Sequence, residues 1–297
     1  MTIAKNQQST IAWVLLIILT LIWGTSFILI KRSLQSFSAS EVGALRMFTA
    51  GIVLLPIAFR NYKKVHGKNW SSLFIVGFLG SFIPAFLFAK AETNLDSSLA
   101  GVLNALTPIF VLIVGALFFV QKFLKSQVVG IAIGFLGTTV LVFAGSYGSL
   151  SSLNLYGLFV VLATICYGLN ANVIKFRIKG LNALTITSIS LGMVTPIALA
   201  YLVFFTDVTQ QVLNEPEARI SFMYVSILGI MSTAIAMGLY NKLIQITTPI
   251  FSSSVTYLIP IVAVIWGLWD GEVLLLGHYL GLLFILAGVY IANQKKF

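Results

Sequence analysis

Long, continuously apolar runs make up most of the chain, and short polar segments separate them. Each run has about the 20 apolar residues that an α-helix needs to cross a bilayer. The runs lie near positions 11–32, 38–60, 70–90, 96–120, 126–146, 154–176, 182–206, 219–242, 249–269 and 273–293. They lack the polar and apolar alternation of membrane-barrel strands. Since helices satisfy their own backbone in lipid, the pattern predicts an all-α, polytopic membrane protein with ten transmembrane helices.

Composition agrees with this prediction and excludes several classes of protein. The chain is 59% hydrophobic and 9% charged, whereas a soluble domain carries roughly 25% charged residues. The net charge of +10 comes from basic residues in short gaps between apolar runs, which is unlike the basic stripe of a nucleic-acid-binding protein. The single cysteine, Cys166, and the two histidines form no metal-binding pattern. We therefore expect no nucleic acid partner, no metal and no cofactor.

The basic residues also predict how the chain sits in the membrane. If the N-terminus is cytoplasmic, 13 of the 18 Lys and Arg residues fall in cytoplasmic segments and four fall on the other side. Arg46 lies within a span. This bias matches the positive-inside rule. Together with an even number of spans, it predicts a multi-pass protein of the cell inner membrane with both termini in the cytoplasm.

Landmarks of the first half recur in the second half in the same order. The corresponding pairs are Trp23 and Tyr167, Gly80 and Gly229, Pro108 and Pro260, and Gly137 and Gly288. Each half then has five spans, and because five is odd, the second half enters the membrane from the opposite side. Inverted repeats of this kind are typical of secondary transporters. We therefore divide the chain into a first repeat, 1–150, and a second repeat, 151–297, which form one structural unit around a central cavity.

Four short motifs carry a resemblance to a known family. They are Trp23-Gly24-Thr25-Ser26-Phe27, Leu45-Arg46, Asn104-Ala105-Leu106-Thr107-Pro108 and Thr256-Tyr257-Leu258-Ile259-Pro260. With ten spans in two inverted halves, the chain resembles the drug/metabolite transporter superfamily and, within it, the EamA family. The resemblance covers nearly the whole chain and implies export or exchange of amino acids, metabolites or drugs. The second half departs from the first, with Leu169-Asn170 where the first has Thr25-Ser26, so the two halves should line the cavity unequally.

The expected function is therefore secondary transport by alternating access, as an exporter or exchanger. No Gly-rich phosphate loop ending in Gly-Lys-Ser/Thr occurs, so transport would proceed without an ATPase in this chain. The expected partners are a small-molecule substrate and the lipid bilayer, and the oligomeric state stays open. Two alternatives remain, a lipid flippase of the same fold and an intramembrane enzyme. An enzyme needs a catalytic set such as paired acids or a histidine cluster, so we expect none.

Polar side chains deep in a span are costly, and they mark candidate sites for that reason. Aromatic walls beside a few polar groups are typical of small-molecule pockets. The predicted substrate-binding residues are Trp23, Thr25, Ser26, Asn104, Thr107, Tyr167, Asn170, Thr256 and Tyr257. Thr233 and Tyr240 are further polar candidates. For each Ser, Thr and Asn the alternative is a hydrogen bond to a neighbouring helix.

Charged residues and prolines suggest how such a carrier would move. Arg46 can pair with Glu41, extend toward water or bind an anionic group, and Glu41, Arg46 and Lys90 are possible gate charges. Glu92 is either a further gate charge or, as is more common for such residues, the mark of the end of a span. With no carboxylate expected near the midplane, we favour a facilitative carrier or exchanger, with proton coupling through Glu41 as the alternative. The prolines inside spans kink helices and are predicted hinges, namely Pro84, Pro108, Pro196 and Pro260.

Overall fold

The computed structural model describes residues 2–67, 69–95, 97–145, 155–269 and 276–293. These residues are helical apart from short connections, and they include no strand. The helices are α1 (Thr2–Ser33), α2 (Ala39–Asn61), α3 (Asn69–Gly77), α4 (Ile83–Ala91), α5 (Ser97–Leu103), α6 (Thr107–Phe119), α7 (Lys125–Gly145), α8 (Gly157–Phe176), α9 (Ala183–Phe205), α10 (Val208–Asn214), α11 (Pro216–Ile227), α12 (Ala236–Ile246), α13 (Pro249–Ser253), α14 (Val255–Trp269) and α15 (Leu276–Asn293). The all-α prediction is confirmed.

Six segments of the described chain are long and apolar enough to cross a membrane. They are Thr10–Ser33, Ala39–Lys64, Asn69–Ala91, Gly157–Phe176, Ala183–Phe205 and Pro216–Ile246. Shorter apolar helices follow at Asn104–Phe119, Lys125–Gly137, Pro249–Ala263 and Tyr279–Gly288. The shorter helices coincide with the other four predicted spans, and the count of ten stays a prediction.

Local sequence signals explain where several helices begin. Ser38 caps α2, because its hydroxyl accepts a hydrogen bond from the Glu41 N–H while the Glu41 carboxylate accepts one from the Ser38 N–H at 2.8 Å. Such a capping box satisfies two backbone donors that the first turn leaves open. Asn182 caps α9 in the same manner, through the Thr185 N–H at 2.8 Å. Thr248 caps α13, whose first residue is Pro249.

The two predicted halves interleave in the bundle. In the first half, α1 packs on α11, α12 and α14, and α2 packs on α9. In the second half, α8 packs on α4 and α6. Large apolar side chains such as Leu117, Phe204 and Phe205 are exposed on the outside, as expected of a surface that lipid covers. The helices at the centre are therefore the ones that can form a site between the halves.

The last helices of the two halves, α7 and α15, pair closely at the edge of the bundle. A Cβ atom on Gly288 would lie 2.6 Å from the Gly130 carbonyl oxygen and 2.7 Å from the Gly134 Cα. Glycine at this point lets two backbones approach each other, which is how small residues hold membrane helices together.

Two segments of π-helix interrupt the long spans, the first at Phe78–Phe82 and the second at Leu228–Ile235. The first precedes Pro84, which has no N–H to offer the Gly80 carbonyl four residues earlier. Instead the Ile83 N–H donates to the Phe78 carbonyl. In the second, the Ser232 carbonyl accepts the indole N–H of Trp23 at 2.9 Å. Single-turn π segments are frequently found at functional sites, and both of these border the central cavity.

Candidate functional site

A cavity lies at the centre of the bundle, between helices of both predicted halves. About half of its lining residues are apolar or aromatic, and the rest are polar or charged. Its lining residues are Trp23, Ser26, Phe27, Ile30, Arg46, Gly80, Ser81, Phe88, Asn104, Thr107, Tyr167, Asn170, Thr233, Met237, Tyr240 and Thr256. Aromatic side chains beside polar groups are typical of a small-molecule site.

The structure brings together most of the predicted substrate-binding residues. The ones in the cavity wall are Trp23, Ser26, Asn104, Thr107, Tyr167, Asn170 and Thr256. The polar candidates Thr233 and Tyr240 line it as well, and so does Arg46. Contact between these side chains and a substrate remains a prediction.

Two predicted binding residues lie outside the cavity wall. The Thr25 hydroxyl donates to the Leu21 carbonyl at 2.8 Å and accepts the Trp266 indole N–H at 3.0 Å. Thr25 therefore joins α1 to α14. Tyr257 is fully buried with its ring against Gly134, and its hydroxyl has no hydrogen-bond partner. Both side chains pack helices together in this structure.

The possible gate charges also separate by position. The Glu41 carboxylate accepts hydrogen bonds from Ser38 in the capping box of α2. The structure shows no ion pair between Glu41 and Arg46. Lys90 is exposed and its ammonium lies 5.7 Å from the centre of the Tyr156 ring. Of the predicted hinges, Pro84 and Pro108 stand in the first turns of α4 and α6, whereas Pro196 and Pro260 lie inside α9 and α14. Movement at these prolines and gating by the charged residues stay predictions.

Aromatic rings form two clusters on the cavity wall. Trp23 and Tyr240 meet edge to face with their centroids 5.1 Å apart. In the second cluster, the Phe88 ring centroid lies 5.8 Å from that of Phe27 and 6.1 Å from that of Tyr167. Such pairs hold each other rigid and present broad apolar faces, which suit the flat or apolar part of a ligand.

Asn170 is a buried polar residue of the cavity wall whose side chain has no hydrogen-bond partner among the described residues. Its side chain is 1% exposed, and neither Oδ1 nor Nδ2 has a hydrogen-bond partner. Two residues along the same helix, the Asn172 amide donates to the Val111 carbonyl at 3.0 Å and to the Gly168 carbonyl at 2.9 Å. A buried amide without partners costs about 1–3 kcal/mol. Asn172 Nδ2 thus joins helices although its Oδ1 has no partner, whereas both polar atoms of the Asn170 side chain lack a partner.

Arg46 supplies the positive charge of the cavity. Its Nε donates to the Thr233 hydroxyl at 2.8 Å, and Thr233 is the one hydrogen-bond partner that it has among the described residues. The side chain is buried, so the predicted alternatives of pairing with Glu41 and of extending into water are not what the structure shows. With Nε held by Thr233, the two terminal nitrogens remain to bind a carboxylate or phosphate in a bidentate manner.

Glu92, which the sequence predicted to mark the end of a span, is buried. Its side chain is 8% exposed, and neither carboxylate oxygen has a hydrogen-bond partner among the described residues. Glu92 is the first residue after the span that ends at Ala91. Burial raises the pKa of its carboxyl well above the ordinary value, and the positive charges of Arg46 and Lys31 oppose that rise in part.

Some lining residues were not predicted, chiefly because they are apolar. Phe27, Ile30, Phe88 and Met237 look like any other lipid-facing or packing residue in a sequence. The repeat carries a usable signal, because Phe88 and Met237 occupy corresponding positions in the alignment that pairs Gly80 with Gly229. Among the described residues, no group of three His, Cys, Asp or Glu side chains could hold a metal ion.

Family comparison decides the class of protein. The model of the EamA-like transporter family matches residues 10–143 and again residues 154–294. The chain belongs to the EamA-like transporter family. It is therefore a multi-pass membrane transporter, as the sequence motifs suggested. The two separate matches fall in the two halves that the internal repeat predicts.

Similar proteins bear transporter names without a stated substrate. An uncharacterized transporter of Archaeoglobus fulgidus is 29% identical over 177 residues, which are 59% of this chain and 62% of that protein. The uncharacterized inner membrane transporter YedA of Escherichia coli is 28% identical over 285 residues, covering 94% of this chain and 89% of YedA. The uncharacterized transporter YdfC of Bacillus subtilis is 26% identical over 288 residues, covering 92% and 88%.

A solved crystal structure has the same fold as this EamA-like transporter. It superposes with a TM-score of 0.72, covering 95% of this chain and 96% of that chain. The sequence identity is 17%, so the likeness shows the fold alone.

Proposed function

We propose that the protein is a secondary transporter that carries a small amphipathic molecule across the inner membrane by alternating access. The central cavity is its substrate site, and the two halves, 1–150 and 151–297, are inverted repeats that rock around it. The observation that carries this proposal is the Asn170 amide, which is buried in the wall of a cavity between the halves with both polar atoms unpartnered. A protein that served only to pack helices would gain by satisfying or replacing this group.

The cavity wall suggests the chemistry of the substrate. Arg46 offers two terminal guanidinium nitrogens to an anionic group, and Asn170 in the same cavity wall carries an amide NH2 donor and a carbonyl oxygen acceptor. The rings of Trp23, Phe88 and Tyr167 offer apolar faces. A molecule with a carboxylate or similar anionic head and an apolar or aromatic body satisfies all of these groups at once.

Residues of both halves line the cavity, as expected of a carrier whose site opens to each side of the membrane in turn. Corresponding positions of the repeat line the same cavity, namely Trp23 with Tyr167 and Ser26 with Asn170. Ser26 and Trp23 bind Ser232 in the second half, at 2.8 Å and 2.9 Å, while Asn170 stays unpaired. This inequality lets one helix anchor the halves while its counterpart binds the substrate. The excess of Lys and Arg in the predicted cytoplasmic segments favours an orientation with both termini in the cytoplasm. The similar protein YedA is named an inner membrane transporter, which supports that membrane for this chain.

Flux into sealed vesicles that contain the purified protein tests the proposal. Organic carboxylates, amino acids, organic cations and neutral drugs are compared, with Trp23→Ala and Asn104→Ala beside the parent. Trp269→Ala and Asn69→Ala are the matched controls, because Trp269 is 78% exposed and the Asn69 amide lies outside the cavity, bonded to the Lys179 carbonyl.

We expect saturable flux of amphipathic organic anions, reduced about tenfold or more in both cavity variants, a loss worth about 1.4 kcal/mol, and retained in both controls. Saturable flux that all four variants retain would place the substrate site elsewhere. Absence of flux for every solute, with correctly folded protein, would contradict small-molecule transport and favour a lipid substrate.

A further inference from the structure

Glu92 is a buried carboxyl group that the proposed substrate site does not use. It follows α4 directly, and α4 packs on α2 and α8, two helices that line the cavity. Both of its oxygens are buried and without hydrogen bonds to any described residue. An ionised carboxylate in such a place is costly unless a positive charge lies near it.

The charged groups around Glu92 come from several helices. The Glu92 N–H donates to the carbonyl of Phe88 at 3.0 Å, and Phe88 of α4 and Arg46 of α2 line the same cavity. From α1 comes Lys31, and the positive charges of Arg46 and Lys31 both act on Glu92. The Glu41 carboxylate on α2 is held in its capping box. Lys90 in the last turn of α4 places its ammonium 5.7 Å from the centre of the Tyr156 ring. The titratable groups on α8 are Cys166, Tyr167 and Lys175, and the Lys175 ammonium donates to the Ile244 carbonyl at 3.0 Å. Arg46 is therefore the charge that Glu92 and the cavity share.

Sharing one guanidinium between a carboxylate and a ligand has a thermodynamic consequence. With the cavity empty, the positive charge of Arg46 favours the ionised form of Glu92. When an anionic group neutralises Arg46, Glu92 loses that support and its neutral, protonated form is favoured. Protonation keeps the buried charge balanced, and the effect is reciprocal, because the proton on Glu92 in turn strengthens binding of the anion.

We propose that Glu92 takes up a proton when an anionic substrate binds Arg46, so that the substrate and one proton are carried together. The inference rests on the proposed function for the identity of the carried solute. The proton comes from water on the side to which the cavity is open, and it leaves Glu92 when the anion leaves Arg46 on the other side. A pH gradient can then drive accumulation of the anion on the alkaline side.

Infrared titration of the purified protein in lipid tests the link between Arg46 and Glu92 without a transported solute. The C=O stretch of a protonated, buried carboxyl is followed against pH in the parent, Glu92→Gln, Arg46→Gln and Arg46→Lys. Glu41→Gln is the matched control. The Glu41 carboxylate lies near the same end of the bundle, but it is already hydrogen-bonded in the capping box of α2. Arg46→Gln imitates the guanidinium after an anion has neutralised it.

We expect a carboxyl band in the parent that Glu92→Gln removes and Glu41→Gln keeps. In Arg46→Gln the midpoint of this band should move upward by roughly one pH unit, as removal of a nearby opposite charge predicts, whereas Arg46→Lys should hold it near the parent value. A band that survives in Glu92→Gln, or a midpoint that Arg46→Gln leaves unchanged, would overturn the proposal. The infrared titration needs no transported solute, so its result is independent of the flux screen. Failure of proton coupling can therefore be distinguished from failure of transport.

Discussion

The side chain of Asn170 lies directly against Gly80, so that a Cβ atom on Gly80 would fall 2.7 Å from the Asn170 Oδ1 and 2.8 Å from its Nδ2. The contact joins α8 of the second half to the first π segment. It holds the one unpartnered amide of the described cavity wall in a fixed place. The backbone of Gly80 is thus a positioning element for the proposed substrate group.

Replacement of Gly80 by alanine should move the Asn170 amide and weaken substrate binding about tenfold, equivalent to about 1.4 kcal/mol. Gly238→Ala is the matched control, because its added methyl would meet nothing closer than the Thr187 hydroxyl at 3.8 Å. Within a helix this control should raise stability by about 0.5–1 kcal/mol. Uptake and thermal unfolding are measured for both variants, and equal uptake in the two would contradict the positioning role of Gly80.

Asn170 and Asn172 should respond oppositely to truncation. Asn172→Ala removes two hydrogen bonds to carbonyls of α6 and α8, and it should lower the free energy of unfolding by about 1–3 kcal/mol. Asn170→Ala breaks no protein hydrogen bond, so it should change stability little and reduce substrate uptake. Thermal unfolding in detergent and vesicle uptake together test the pair. A larger stability loss at Asn170 than at Asn172 would be inconsistent with the assignment.

Thr233 should stabilise the fold through Arg46. Thr233→Val keeps the shape of the side chain and leaves the buried Arg46 Nε without its hydrogen-bond acceptor. Hydrogen bonds to charged groups contribute about 1.5–3 kcal/mol, so the variant should unfold at a lower temperature by a corresponding amount. Thr233→Ser retains the hydroxyl and should behave like the parent. If valine were tolerated as well as serine, Arg46 would have to be held by other groups.

Tyr257 carries a hydroxyl that the fold does not use. Because that hydroxyl is buried without a partner, Tyr257→Phe should raise the free energy of unfolding by about 1 kcal/mol. Chemical or thermal unfolding of the purified variant checks the sign. A destabilised variant would show that the hydroxyl has a partner in the membrane-embedded protein.

Hydropathy predicted the helical class and most helix positions well, because a long apolar run has few other folds available in lipid. Seven of the nine predicted binding residues line the cavity because polar groups in spans turn inward. Thr25 shows the limit of this rule, since its hydroxyl is satisfied by Leu21 and Trp266 between helices. Polarity alone does not tell a helix contact from a cavity wall.

The burial of Glu92 and the position of Phe88 in the cavity wall could not be predicted from the sequence. Glu92 stands beside Lys90 at the end of an apolar run, where charged residues are normally in water, and its burial depends on how α2 and α8 close over α4. Phe88 has no polar atom to distinguish it from lipid-facing phenylalanines. Only the packing of the two halves against each other assigns these residues to the interior.

We propose above that Asn170 lies in a substrate site that opens to each side of the membrane in turn. The most direct measurement replaces Cys166 by serine, introduces Asn170→Cys, and follows its reaction with a membrane-impermeant thiol reagent added to either face of sealed vesicles. We expect reaction from both faces, slowed at each face by the transported solute, with no reaction in the Cys166→Ser parent. Reaction from one face alone, at a rate that the solute does not change, would contradict it.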